Sequence, residues 1–277
     1  MGSNPRVSRG QLHVDQRHPF FFDHPLDHVS GMLLITGLLD LVRSSAGRPF
    51  DARVGHLIRL DLKFSRVCEL DSAVTLSAHQ AGGCDVHTLR ATQGGHAVCG
   101  GGVELIADVV PTVSGYGGGA IVPIAAELVR RTDPRNVLIG APRSDSWCYR
   151  APLVPPPAGH FLRRNGAERY SVEELIEAGR QLVTVANYGP HGRTPDTHVL
   201  WTGISADLPV ALHRSVPLEL RWPITPAHGN NAVFDVALVA RETGQRMGTL
   251  CYVIRTCAPG AYRRLRAAHA ARPWRAA

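Results

Sequence analysis

His18–Leu34 reads HPFFFDHPLDHVSGMLL, and its character changes at Ser30. Before Ser30 the segment is a loop: Pro19 and Pro25 remove backbone donors and disfavour helix. Beyond that loop, Ser30–Ser45 (SGMLLITGLLDLVRSS) is apolar on nearly all sides and is closed by Gly47. A helix with that pattern belongs inside a protein rather than on its surface.

A second helix follows from Ser171–Tyr188 (SVEELIEAGRQLVTVANY). Ser171 and Glu174 have the S-x-x-E spacing of a capping box, and Gly189-Pro190 supplies the stop. Four strand-like segments follow each helix. After the first they are 54–64, 73–80, 85–91 and 96–106; after the second they are 198–205, 216–223, 232–240 and 247–255. Alternation with period 2 is clearest in Leu60–Phe64 and Val216–Trp222. Helix then strands, twice over, predicts a duplicated α+β unit with antiparallel sheets rather than alternating βαβ. The expected division is repeat 1 over 1–110, a Gly-rich linker over 111–124, repeat 2 over 125–258 and a basic tail over 259–277.

Composition sets the outer bounds. The chain has 277 residues, 44% hydrophobic and 19% charged, which is enough apolar material for a packed core. No apolar run reaches the roughly 18–20 residues that span a bilayer. The first residues, MGSNPR, lack the apolar stretch of a secretory leader, so a cytoplasmic place is expected. Six cysteines show no C-x-x-C pair and read as buried free thiols. The net charge of +7 comes almost entirely from arginine, since Lys63 is the one lysine. Such a surface suits acidic or phosphorylated partners, although arginine-rich coding would give the same excess.

The opening segment resembles H-P-x-x-F-x-x-x-x-D-H-V-P-G-M-L-L of the A-factor-type γ-butyrolactone synthase family. It is similar, more distantly, to the H-F-P-x-x-P-x-x-P-G-V motif of hydroxyacyl-carrier-protein dehydratases. Glu177–Gln181 (EAGRQ) is similar to the E-A-x-R-Q of the family's other repeat, as are Val129–Asn136 (VRRTDPRN) and Ala261–Arg266 (AYRRLR). The resemblance implies a tandem double hotdog: two central helices, each wrapped by antiparallel strands, with one continuous pseudo-twofold sheet. One departure is plain. In that family the E-A-x-R-Q repeat comes first, and here it comes second.

What the resemblance implies for the site follows from registering the repeats on their histidines. Thr36 stands 18 residues after His18, and Glu177 stands 17 after His160, so Thr36 and Glu177 occupy matching helix positions. In the resembling dehydratases that position holds a catalytic carboxylate, which works with the loop histidine of the neighbouring copy. Glu177 and His18 are thus the expected catalytic pair, with the Glu177 pKa raised by partial burial. Thr36, Asp40 and His160 would form a degenerate second site. Arg180 and Gln181 are expected to bind substrate, and Gly31 and Met32 to polarise a thioester oxygen from a helix start. His24 and His28 read as loop or capping residues. Spacings of 6 and 4 on a Pro-containing loop fit no standard metal site, so no metal and no cofactor are expected.

The implied activity is acyl transfer or condensation of a β-ketoacyl thioester with a dihydroxyacetone-phosphate-like acceptor in secondary metabolism. Two alternatives stay open: a hydroxyacyl-thioester dehydratase or isomerase, and a non-catalytic acyl-binding or scaffold protein. The expected partners are an acyl carrier protein or CoA thioester and a phosphorylated small molecule. Neither nucleic acid nor membrane is expected, and a homodimer is left open.

Overall fold

The computed structural model describes residues 6–45, 53, 55–80, 85–107, 121–163, 166, 168–194 and 196–270. Residues 111–120 of the expected linker, Cys84, Arg272 and Arg275 lie outside the described residues. Two helices occupy the places predicted for them: α1 (Gly31–Ser45) and α2 (Val172–Tyr188). On α1 the buried residues Met32, Leu33, Leu34, Ile35, Leu38, Leu39 and Val42 leave little of the surface for water. Ser171 caps α2: its Oγ accepts the Glu174 N–H, and the Glu174 carboxylate pairs with Arg214.

Eleven strands make one sheet. In chain order they are β1 (Arg6–Gln11), β2 (His56–Phe64), β3 (Val74–Gln80), β4 (Val86–Gln93), β5 (His96–Ala107), β6 (Arg143–Ser144), β7 (Cys148–Pro152), β8 (His198–Pro209), β9 (Leu218–Pro223), β10 (Asn231–Ala240) and β11 (Arg246–Cys257). Their spatial order is β1-β3-β4-β5-β2-β8-β11-β10-β9-β7-β6, with antiparallel pairing at each junction. The order is a mirror about the β2–β8 junction. Repeat 1 runs outward as β2-β5-β4-β3 and repeat 2 as β8-β11-β10-β9. Leu57↔Pro209 to Lys63↔Gly203 join the two halves, so no unpaired strand edge is left at the centre.

Alternation decides which face meets the helices. In β2 the buried positions are Ile58, Leu60 and Leu62, with Arg59, Asp61 and Lys63 on the outer face. Gly179 lets β11 approach α2 closely. A Cβ there would collide with the Tyr252 hydroxyl, which instead donates to the Ile176 carbonyl at 2.6 Å. One sequence expectation changes. Residues 259–270 of the basic tail form a helix, α3 (Pro259–Ala270), because Tyr262 is buried and Arg266 pairs with Asp27 and Glu69. No described helix is long and apolar enough to cross a membrane.

Candidate functional site

Glu177 and His18 are not brought together. The Glu177 side chain is completely buried, and both of its oxygens are occupied. Oε1 accepts from Arg131 Nη2 (2.7 Å), Arg180 Nη2 (2.7 Å) and Gln181 Nε2 (2.8 Å); Oε2 accepts from Arg180 Nε (2.7 Å). Burial alone would raise its pKa, but the two guanidiniums outweigh burial and hold it at about 2. The expectation of a raised pKa is therefore corrected: the two arginines favour the ionised form of Glu177. His18 accepts the Phe20 and Phe21 N–H groups on Nδ1 and packs its ring on Phe21 and Phe161. Arg131 spans the gap, donating to the Phe20 carbonyl at 2.6 Å while it holds Glu177.

The remaining expected residues divide by place. Gln181, expected to bind substrate, is fully buried and bonded at both ends. It accepts from the Leu138 N–H and donates to the Asn136 carbonyl as well as to Glu177, so it fixes the 136–138 backbone. His160 is a matching structural group: its Nδ1 accepts the Leu162 N–H, and its Nε2 bonds Asn136 Oδ1 at 2.8 Å. Burial, then the nearby Arg131, pushes its pKa down to about 4. Thr36 is buried with its hydroxyl unpartnered, and Asp40 sits at the surface end of α1 beside Arg43. Arg180, Gly31 and Met32 face a common space.

That space is a cleft of about 720 Å³ between the two repeats. Repeat 1 contributes the His24–Leu34 loop and helix start together with Phe64–Cys68. Repeat 2 contributes Arg130, Arg131, Arg180, Thr184, Tyr188 and His198–Thr202, and α3 closes one side with Leu265 and His269. Phe21, Met32, Leu34, Phe64 and Trp201 give it apolar walls. The absence of a side chain at Gly31 is required here, since a Cβ would stand 2.9 Å from the Trp201 ring. Of the first-turn donors of α1, those of Leu33 and Leu34 go to Ser30. The N–H groups of Gly31 and Met32 are left without an intrahelical acceptor.

Arginine dominates the polar part. Arg66 and Arg255 line the cleft and form no ion pair among the described residues. Arg130 holds a left-handed backbone (φ 54°), uncommon for a residue with a side chain, and stacks its guanidinium 4.7 Å from the centre of the Tyr188 ring. Below them Asp23 lies buried. Its Oδ1 takes His24 Nδ1 at 2.7 Å and Arg131 Nη1 at 3.0 Å; its Oδ2 takes Asn136 Nδ2 at 2.9 Å and the Thr132 N–H at 3.4 Å. Burial opposes ionisation, yet His24, Arg131 and Asn136 together hold Asp23 below the usual carboxylate range. His28 bonds Asp27 at 2.8 Å and meets the Tyr262 hydroxyl at 3.2 Å, and Tyr262 stacks on His198. His24 and His28 are thus cleft residues rather than mere loop-shaping ones. Adjacent Asp-His pairs are visible in the sequence. The burial of Asp23 under Arg131 and Asn136, which lie more than 100 positions away, is not.

Comparison with known proteins bears on the family and the fold. Residues 6–98 match the A-factor biosynthesis hotdog domain family. A 79-residue stretch is 34% identical to the 2-oxo-3-(phosphooxy)propyl 3-oxoalkanoate synthase of Streptomyces virginiae; it covers 28% of this chain and only 25% of that enzyme. Among solved structures, the dehydratase domain from the CurJ module of the curacin polyketide synthase is similar at a TM-score of 0.63, with 11% identity and 94% of both chains covered. A bifunctional dehydratase-cyclase domain in ambruticin biosynthesis reaches 0.58, at 16% identity over 96% of this chain and 95% of that one. The tesB protein of Mycobacterium avium subs paratuberculosis reaches 0.56, at 14% identity over 91% and 93%. At these identities the likeness establishes the fold, a double hotdog, and the family match places repeat 1 with the A-factor-type domains named by the sequence resemblance.

Proposed function

We propose, taking the A-factor biosynthesis hotdog match of residues 6–98 as premise, that this protein moves a β-ketoacyl group from a carrier-protein or CoA thioester to a hydroxyl of a dihydroxyacetone-phosphate-like acceptor. The observation that supports this most is the two-part lining of the interrepeat cleft. Its apolar walls suit an acyl chain, and its volume lies within the usual range for small-molecule sites. Its arginines suit phosphate, either of the thioester's pantetheine arm or of the acceptor. In this reading the N–H groups of Gly31 and Met32 receive a thioester oxygen as it gains charge.

The ionised state of Glu177 weighs against the dehydratase reading. A β-hydroxyl leaves as water only when it gains a proton. A carboxyl group with a pKa of about 2 holds none near neutrality. An acyl-binding protein without turnover is a second reading, favoured by one observation: Glu177 and His18 form no contact. Incubation of the protein with a 3-oxoacyl thioester and dihydroxyacetone phosphate, followed by mass analysis, separates these. The expected result is an acyl phosphoester whose formation and thiol release both require the phosphate. Loss of water from a 3-hydroxyacyl thioester instead would establish the dehydratase reading, and saturable binding without product would establish the second.

A further inference from the structure

We infer that His24, oriented by Asp23, is the proton-transfer residue of the interrepeat cleft, a role that sequence registration had given to His18 and Glu177. The inference rests on the proposed acyl transfer for its substrates and on separate geometry for the residue. The Asp23 side chain is 1% exposed and held by four donors, which fix its orientation and favour its ionised form. An ionised carboxylate is acceptor-only, which makes His24 Nδ1 the donor of the 2.7 Å bond. The lone pair of the neutral ring then sits on Nε2. His24 is 29% exposed, lines the cleft, and bonds no other described residue. A buried carboxylate that sets the tautomer of a partly open histidine is the arrangement by which enzymes present a base to a hydroxyl.

His28 is a weaker fit. Its Nδ1 is shared between Asp27 and Tyr262, and Asp27 is half exposed. Asp23 acts through His24 and is a positioning residue.

The step balances on one histidine. As the acceptor oxygen bonds to the thioester carbon, its proton passes to His24 Nε2 and the carbonyl electron pair moves onto oxygen. When the carbonyl re-forms, the C–S bond breaks. The sulfur leaves with the bonding pair and takes the proton from His24. One thioester and one alcohol become one ester and one thiol, with His24 neutral again.

The test measures turnover of wild type, H24Q, H24A, D23N and H79Q with a 3-oxoacyl thioester and dihydroxyacetone phosphate, each at matched folded fraction. H24Q is expected to lower kcat about 10²–10⁴-fold, the usual worth of one positioned base. D23N should lower kcat with little change in thioester KM, because the amide offers Nδ1 a donor and selects the wrong tautomer. Added imidazole should restore part of the H24A rate and none of the D23N rate. H79Q, on the exposed outer face of β3, should match wild type. Wild-type kcat in H24Q, or rescue absent from H24A, overturns the inference. If wild type consumes thioester without the transfer product, the transfer reading fails, and the same variants judge His24 on the reaction observed. If nothing turns over, histidine modification by diethyl pyrocarbonate decides. His24 should react in wild type and be protected by an acyl-pantetheine amide; an unreactive His24 overturns the assignment.

Discussion

Four guanidinium N–H groups and one amide converge on the Glu177 carboxylate, and that geometry determines what a substitution does. Glu177→Gln removes the anion while Arg131 keeps only Asp23 and Arg180 keeps no carboxylate. Breaking one side of a buried ionic group costs on the order of 3–5 kcal/mol. A fall of that size in unfolding free energy, read by urea denaturation, is expected. Stability within about 1 kcal/mol of wild type would show that Glu177 does not have the structural role described. Gly31 makes a gentler case. Gly31→Ala places a methyl 2.9 Å from the Trp201 ring, and overpacking of this kind costs about 1–3 kcal/mol. Because Trp201 forms a wall of the cleft, a shift in its fluorescence should accompany weaker thioester binding. An unshifted spectrum with unchanged affinity would remove Trp201 from the site.

Along α2 three glutamates, Glu173, Glu174 and Glu177, are buried on one helix, and each is met by arginine from another element. Arg43 of α1 holds Glu173 through two bonds of 2.6 and 3.0 Å, and Arg214 holds Glu174 through two of 2.6 and 2.5 Å. The Arg43–Glu173 pair ties the two central helices together across the repeats. Arg43→Met should therefore cost about 3–5 kcal/mol, whereas Arg43→Met with Glu173→Leu should regain most of it, since the isolated buried charge is gone. A denaturant double-mutant cycle measures this; a double variant no more stable than the single one would contradict it. Such pairing was not readable from the sequence, which gives Glu174 a capping position and Glu177 a motif but no arginine partner for any of the three. Their partners lie 130, 40 and 46 positions away. Strands such as β2, β3, β4 and β10 were readable because alternation and burial coincide in them. β1 (RVSRGQ) and β7 (CYRAP) were not: β1 is an edge strand, β7 is next to the two-residue edge strand β6, and their pattern is polar or only half buried. For the site, Gly31, Met32 and Arg180 line the cleft. Glu177 is instead held by Arg131, Arg180 and Gln181, because repeat registration gives a position in the chain and not the partners that fill it.

At the scale of the whole molecule, the β2–β8 junction makes one body of two repeats, and the cleft exists only where they meet. Acid should loosen that body. His160 has a folded pKa of about 4 against an ordinary 6.5, so between these values the unfolded chain binds more protons and stability falls as pH drops. Glu177, at about 2 against 4.5, extends the same trend below pH 4.5. Thermal melts should decline steadily from pH 7 to 4, and His160→Gln should flatten the upper part of the decline; a melting point that rises on acidification would contradict both assignments. The most direct measurement is photo-crosslinking with an acyl-pantetheine that carries a diazirine at the acyl terminus, with labelled peptides mapped by mass spectrometry. Labels are expected on 29–34 of repeat 1 and 198–202 of repeat 2 in the same preparation, and excess unlabelled thioester should abolish them. Labels confined to the outer face of the sheet, around Asp235 and Cys251, would contradict an acyl site between the repeats.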